Sequence, residues 1–520
     1  MINPIDLEIY WSRLIAIVDE AGAALKRTSF STVVRESNDF SVVLLDQDGS
    51  LVAQSSWSVP GFIGTAPLSL RRMLKECPQA SLDPGDVLFT NDPWIGTGHL
   101  PDATMAAPIF VDDQIIGFVV TVAHLSDIGG RQWSADANEV FEEGIRFPVI
   151  KMVKGGVPNS LAMQLLEANV RLPQQVRGDI DAQIVAINVA QRRLREMLDE
   201  YRLKDIRGIA EAIFSVSEKA ALHEIKRIPP GVYRGSVECD GWDETIKLVV
   251  AITVSDQGIE IDYTGSSQQV AFGINESFNH TYAYTIYPLK CMLSPEIPNN
   301  EGFTRLFTVV APEGSIVNAK PPAAVGARHL IGHVLQGAIF DALASVMPDR
   351  VQADSGTPMW TVLLRGVDTQ RNASFSSILF FNGGMGATQQ RDGISAISFP
   401  ANISNTPIEV TENLAPILFR TKRLDEESVG DGATKGGLGQ IVAFESRWPG
   451  NIRASLLTER VRIPAKGLLG GEAGKPGHIH RNGIPVAEPK GIVDLKFGDL
   501  LEVGLPGGGC MGPPNRRGAP

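Results

Sequence analysis

The chain has 520 residues, 43% of them hydrophobic, more than one ordinary core can organise and enough for two or more packed domains. Its 47 Lys+Arg against 59 Asp+Glu give a formal charge of -12, which argues against a polyanion-binding surface and so against a nucleic-acid partner. No apolar run reaches the roughly 18 residues that cross a bilayer, the start MINPIDLEIYWSRL carries acids where an export signal carries bases, and the four scattered cysteines lack any CxxC. The expectation is a cytoplasmic globular protein in a reducing compartment.

In chain order, residues 5–26 place Leu7, Ile9, Trp11, Leu14, Ile15 and Val18 at helical spacing and predict an amphipathic helix. Residues 41–45 and 51–53 flank Asp46-Gln47-Asp48-Gly49 and predict a hairpin. Residues 103–110 and 115–123 are apolar runs about the polar tip 111–114, a second antiparallel hairpin. A turn centred on Asp112 and Asp113 sets paired numbers to a sum of 225, with Pro101 facing His124 and Asp102 facing Ala123. Residues 160–226 are rich in Ala, Leu, Arg, Glu and Gln and predict two or three helices with a break at Leu172-Pro173. Pro229-Pro230-Gly231 ends this block, strands are expected over 246–254, 259–263 and 307–310, and a helix over 327–347. The fold class expected is mixed α/β (α+β). An N-terminal α/β domain spans 1–228, including the helical block, and a β-rich, glycine-rich domain with a central helix spans 229–520.

Two motifs share one pattern. His99-Leu100-Pro101-Asp102 follows a Pro/Gly-rich turn, and His124-Leu125-Ser126-Asp127 precedes Gly129-Gly130. Folding the second hairpin brings both to one end, where opposed Cα atoms lie about 5 Å apart. Imidazoles with carboxylates suit zinc, manganese or ferrous iron rather than calcium. A catalytic site takes three protein ligands and keeps a position for water, so His99, Asp102 and His124 are the expected ligands. Asp127 is then either a fourth ligand or the acceptor that fixes a histidine tautomer. The plain alternative is that each histidine caps a turn and each aspartate satisfies loop amides.

Glu143, in Glu142-Glu143-Gly144, is a candidate general base or orienter of water, against the alternative of a solvated charge run. His329 and His333 lie at i and i+4, but Leu330 stands where a metalloprotease motif needs glutamate, so they read as a polar face or a substrate contact. His478 and His480 alternate as on a surface strand. Around Gly474-Lys475, Leu469 and Pro476 break the phosphate-binding loop, and Lys435-Gly436-Gly437-Leu438-Gly439 lacks a dinucleotide-binding context. No ATP site is recognisable in the chain.

Taken together, Asp39-Phe40-Ser41, Asn91-Asp92-Pro93, the two His-x-x-Asp motifs, Glu143-Gly144-Ile145-Arg146, Asp262-Tyr263-Thr264-Gly265, 317–328, Asn405-Thr406-Pro407 and Pro506-Gly507-Gly508-Gly509 resemble the hydantoinase B/5-oxoprolinase family, which includes acetone carboxylase alpha subunits. The resemblance implies a subunit working beside a separate ATP-using, hydantoinase A-type partner in a hetero-oligomer, with a divalent metal at the positions of His99, Asp102 and His124. It implies ATP-dependent opening of a cyclic amide or imide: the partner phosphorylates the amide oxygen, and this chain delivers metal-activated water. The alternatives are an alpha-type subunit of a ketone carboxylase and a non-catalytic scaffold with a structural metal. Leu125 and Cys510-Met511-Gly512 depart from the family's usual histidine and Gly-Tyr-Gly. The chain is shorter than the carboxylase relatives, which favours the hydantoinase branch.

Overall fold

The computed structural model describes residues 2–131, 133–368 and 373–514. The first helix runs Pro4–Thr28, with the Asn3 side chain accepting from the Asp6 N–H and Trp11, Leu14, Val18, Ala21 and Leu25 buried along one stripe. Seven strands follow: β1 (Phe40–Asp46), β2 (Leu51–Gln54), β3 (Val87–Thr90), β4 (Asp102–Val111), β5 (Gln114–His124), β6 (Ile150–Lys154) and β7 (Val157–Pro158). They make one sheet in the order β2-β1-β5-β4-β3-β6-β7, antiparallel throughout. The β1–β2 hairpin turns at Gly49, whose φ of 77° is the conformation glycine adopts without strain.

Both faces of this sheet are covered. Val42 and Leu44 of β1 enter a core with Trp11 and Ile187, from helices Pro4–Thr28 and Pro173–Tyr201. Val43 and Leu45 enter another with Ile63 and Leu70 of helix Pro60–Glu76. Two buried faces explain why β4 and β5 read as continuous apolar runs rather than as alternation. Helix Pro60–Glu76 has no counterpart among the elements expected from local pattern, because Gly61, Gly64 and Pro67 oppose helix in its first half, although Pro60 suits its first position. Packing places it: a Cβ on Gly64 would lie 2.7 Å from the Ala283 Cα, so glycine lets it close on helix Phe278–Leu293.

The β4–β5 register corrects the expected one. Near the turn, Phe110 pairs with Ile115 and Val111 with Gln114, and Asp112 and Asp113 take positive φ of 45° and 61°. A bulge between Ile109 and Phe110 then shifts the ladder, so Ile109 faces Gly117 and Asp102 faces His124. Paired residues project to the same face and sequence neighbours to opposite faces. In the expected register Asp102 and His124 would therefore lie on opposite faces; the bulge puts them on one.

Helices Ser160–Asn169, Pro173–Tyr201 and Arg207–Ile225 make up the helical block, broken at Leu172-Pro173 as anticipated. Strands Gly231–Cys239, Ile246–Ser255, Gly258–Asp262 and Phe307–Val310 form a four-stranded sheet. The helix expected over 327–347 is two short pieces, His329–Gly332 and Leu335–Leu343, joined where Val334 and Gly337 bond to carbonyls three residues back. Beyond 360 two sheets share one core, with Trp360, Val362 and Leu364 from the first meeting Val442, Phe444 and Val503 from the second. The glycine-rich segments near 384, 437 and 508 meet one another: a Cβ on Gly384 would fall 1.7 Å from the Gly437 carbonyl oxygen. These glycines serve backbone-on-backbone packing as well as turns. The chain is thus a mixed α/β fold. Val122, at the end of β5, packs with Phe62, Leu363, Ile378 and Phe380, so the mouth of the β4–β5 hairpin lies inside the molecule. Among the described residues no helix is long and apolar enough to cross a membrane.

Candidate metal centre

The bulge-set register brings Asp102 and His124 together at the start of β4 and the end of β5, and the turn before β4 swings His99 over them. All three are buried, at 2% exposure or less, and their ligand atoms lie within 4.8 Å of one another. Asp102 Oδ1 is 2.8 Å from His99 Nε2 and 3.2 Å from His124 Nδ1, against roughly 3.0–3.4 Å for donors around one ion with bonds of about 2.0–2.2 Å.

The tautomer of His99 decides what this cluster can hold. Its Nδ1 lies 2.9 Å from the Gly326 carbonyl oxygen, which only accepts, so Nδ1 carries the hydrogen. Burial, followed by the Arg328 charge, pushes the imidazole down to about 4, so at neutral pH the ring is neutral and Nε2 bears a lone pair. That nitrogen has no hydrogen-bond partner among the described residues, yet it faces a carboxylate oxygen. Two lone pairs at this separation repel unless a cation lies between them, and the donor set therefore fits a divalent metal of the zinc class.

Asp102 is held in one orientation. Its Oδ2 accepts from Thr97 Oγ1 at 2.5 Å and from Arg328 Nη2 at 2.6 Å, leaving Oδ1 to the histidines. Burial pushes its carboxyl up, but the Arg328 charge and the His124 hydrogen bond work against burial, and the carboxyl lies well below the usual range. Arg328 also donates from Nε to the Thr97 carbonyl. A Cβ on Gly98, at φ 107°, would lie 2.7 Å from Arg328 Cδ; this turn needs glycine for both its conformation and its neighbour.

Three residues to which sequence pattern assigns no role complete the cluster. Asp39 precedes β1, which pairs with β5; its carbonyl accepts from the His124 N–H and its Oδ2 lies 3.8 Å from His124 Nδ1. Burial raises its carboxyl to about 6, against the lowering effect of His124. Trp133 Nε1 donates to the Gly326 carbonyl, and its ring centroid lies 4.8 Å from that of His124 and 5.8 Å from that of His99. Arg328 is the third. The pairing of β1 with β5 and the return of residues 326–328 are long-range, and no local spacing signals them.

His329 and His333 line the same cavity, with His280 and Tyr284 of helix Phe278–Leu293. Burial pushes all three histidines down, His333 to about 3, so they are neutral hydrogen-bonding groups. His333 Nε2 is 3.0 Å from the Tyr284 hydroxyl, whereas His329 Nε2 and His333 Nδ1 have no partner among the described residues. His280 Nδ1 lies 2.6 Å from Glu276 Oε2, and burial raises that carboxyl well above its ordinary value.

Asp127 and Glu143 are not brought into the three-residue cluster. Asp127 Oδ1 accepts from the Gly129 N–H and from Arg171 Nη1, and Oδ2 accepts from the Arg171 N–H. Glu143 Oε1 accepts from the Val325 and Gly326 N–H groups at 2.8 and 2.6 Å. The Glu143 residue is only partly buried, but its Oε2 is enclosed and has no partner among the described residues, and burial raises its carboxyl to about 8. Both residues line a second cavity that His124 also borders.

Known proteins resemble this chain along its whole length. The profile of the hydantoinase B/oxoprolinase family matches residues 3–514. An uncharacterized protein of Methanocaldococcus jannaschii is 31% identical over 99% of this chain and 92% of its own length. A Pseudomonas protein that carries the provisional name of a D-/L-hydantoinase B-type subunit is 31% identical over 85% of this chain and 77% of its own. Among solved structures, the ATP-dependent caprolactamase from Pseudomonas jessenii superposes with a TM-score of 0.89 at 24% identity, covering 100% of this chain and 92% of that one. Acetone carboxylase in a nucleotide-free state gives 0.87 at 19%, covering 98% and 76%.

Proposed function

The chain belongs to the hydantoinase B/oxoprolinase family, and we propose that it is the metal-holding subunit of an ATP-dependent hydrolase that opens a cyclic amide or imide, a hydantoin or another lactam. In this reading it works in a cytoplasmic hetero-oligomer beside a hydantoinase A-type subunit, which uses ATP to phosphorylate the amide oxygen and so makes the ring carbon electrophilic. The observation that carries the proposal is the buried convergence of His99, Asp102 and His124, with the lone pair of His99 Nε2 facing Asp102 Oδ1. A zinc, manganese or ferrous ion held by these three residues would supply Lewis acidity and activate water at neutral pH.

The chain's own residues set up that chemistry. Arg328 and Thr97 pin Asp102 Oδ2, so Oδ1 keeps its direction. Asp39, an otherwise poorly compensated buried carboxyl just before the strand that pairs with β5, offers a fourth donor, a second oxygen, near His124. The unpartnered His329 Nε2 and His333 Nδ1 give the ring amide hydrogen-bonding positions across the cavity. Glu143 and Asp127 act as positioning residues: Glu143 holds the Val325-Gly326 backbone whose carbonyl fixes His99, and Asp127 braces Arg171 and the loop at Gly129. The acetone carboxylase likeness, at 19% identity, bears on the fold alone.

The test is co-expression with an ATP-using partner subunit and assay of a lactam and hydantoin panel for ring-opened acid and ADP. The same complex is given a ketone with bicarbonate, where keto acid would support the carboxylase reading instead. His124→Ala should abolish product and lower bound metal while the complex still assembles. Activity that survives this substitution favours the scaffold reading.

A further inference from the structure

A second group of donors lies far along the chain, on two adjacent strands of a C-terminal sheet. His478 and His480 are two apart on strand His478–Arg481 and so project to one face. Glu502, on the neighbouring strand Leu500–Gly504, is the direct antiparallel partner of His480 and projects with it. His478 is paired with Gly504, and its ring lies over that glycine: a Cβ there would fall 2.1 Å from His478 Cε1. The missing side chain lets the first imidazole lean across the strand toward the carboxylate.

The resulting distances distinguish two kinds of cluster. His478 Nε2 and His480 Nδ1 are each 3.4 Å from the same oxygen, Glu502 Oε1, and the ring centroids are 4.8 Å apart. For an N–H···O hydrogen bond this is beyond the usual span of about 2.7–3.2 Å. For ligands of a tetrahedral zinc ion it is the natural edge, because bonds of about 2.0–2.1 Å separate neighbouring donors by about 3.3–3.4 Å. The side chains are 38%, 30% and 35% exposed, so an ion can enter from solvent and water can fill the fourth position.

We propose that His478, His480 and Glu502 form a second, solvent-accessible site for a divalent ion of the zinc class, separate from the buried centre. Two imidazoles with one carboxylate select such an ion over calcium or magnesium. None of the three residues lines the cavity of His99, Asp102 and His124, so this proposal stands apart from the assigned reaction. A bound ion would cross-link the two strands just before the chain enters the glycine-packed segment at 507–509 and would hold that segment's entry.

Equilibrium dialysis of the full-length chain against micromolar zinc, with metal counted per chain, tests the site. The double variant His478→Gln/His480→Gln should bind one zinc fewer than the wild type, and Glu502→Gln should weaken the same site about tenfold or more. His124→Ala should leave it filled. Independently, zinc should protect His478 and His480 of the unmutated chain from diethyl pyrocarbonate, read by peptide mass. Equal zinc uptake by the wild type and the double variant overturns the proposal, and so does undiminished modification of both histidines in saturating zinc; either result leaves a solvated polar cluster.

Discussion

Glu143 separates positioning from proton transfer more sharply than any other residue near the centre. Its carboxyl is raised to about 8 by burial, above the roughly 4.5 of an unfolded chain, so the native state holds its proton more tightly. The stability this contributes is whole below about pH 4.5 and is lost as pH rises through about 8, at about 1.4 kcal/mol per pH unit within that window. Glutamine keeps an acceptor for Val325 and Gly326 and cannot ionise. Glu143→Gln should therefore remove a slope worth on the order of 2 kcal/mol between pH 5 and 7 and should retain activity within about tenfold. Glu143→Ala should orphan two backbone N–H groups, costing about 2–5 kcal/mol, and weaken metal binding 10–100-fold by freeing the Gly326 carbonyl that orients His99. Denaturant melts across pH, metal titration and kcat of each variant give the readouts. If Glu143→Gln binds metal and folds as the wild type but loses about 10²-fold or more in kcat, the carboxylate is a general base and the positioning account fails.

Removing Arg328 should strand a buried carboxylate: Arg328→Leu is expected to destabilise the metal-free chain by about 3–5 kcal/mol, with partial recovery in saturating zinc, and a loss below about 1 kcal/mol in chemical denaturation would contradict the pair's role. Asp39 has a raised carboxyl, about 6, whose stabilising proton is lost as pH climbs from about 4 to 6. Asp39→Asn should then raise metal-free stability above pH 6 by about 1–3 kcal/mol while weakening metal affinity 10–100-fold, and a melt in chelator paired with a zinc titration would detect both. At the hairpin tip, Asp113→Gly should gain up to about 1 kcal/mol by relieving a positive φ; a loss in thermal melting would mean that the aspartate holds the turn in some other way.

Local pattern was enough for much of this protein. The helical stripe from Leu7 to Val18, the Asp-Gly hairpin and the break at Leu172-Pro173 arise from neighbours in the chain, so propensity and periodicity reveal them. That a hairpin carries His99, Asp102 and His124 to one end was equally legible, because it joins residues only about twenty apart, although Asp127 of the second motif stays outside. What local pattern could not supply is the face on which those side chains meet. The bulge between Ile109 and Phe110 turns Asp102 toward His124, and no residue type there announces it. Asp39 and Arg328 reach His124 and Asp102 across separations of 85 and 226 residues, and Trp133, though close in sequence to His124, is fixed by the Gly326 carbonyl 193 residues on. Helix Pro60–Glu76, poor by composition, exists because its glycines let it close on another helix. Backbone preferences act over a few residues, whereas burial, charge compensation and close packing act between whatever the folded chain brings together. For that reason the sequence by itself determined the residue types of the candidate site and the ribbon that carries them, and only the tertiary structure decided their common face, the His99 tautomer and the arginine that holds their carboxylate.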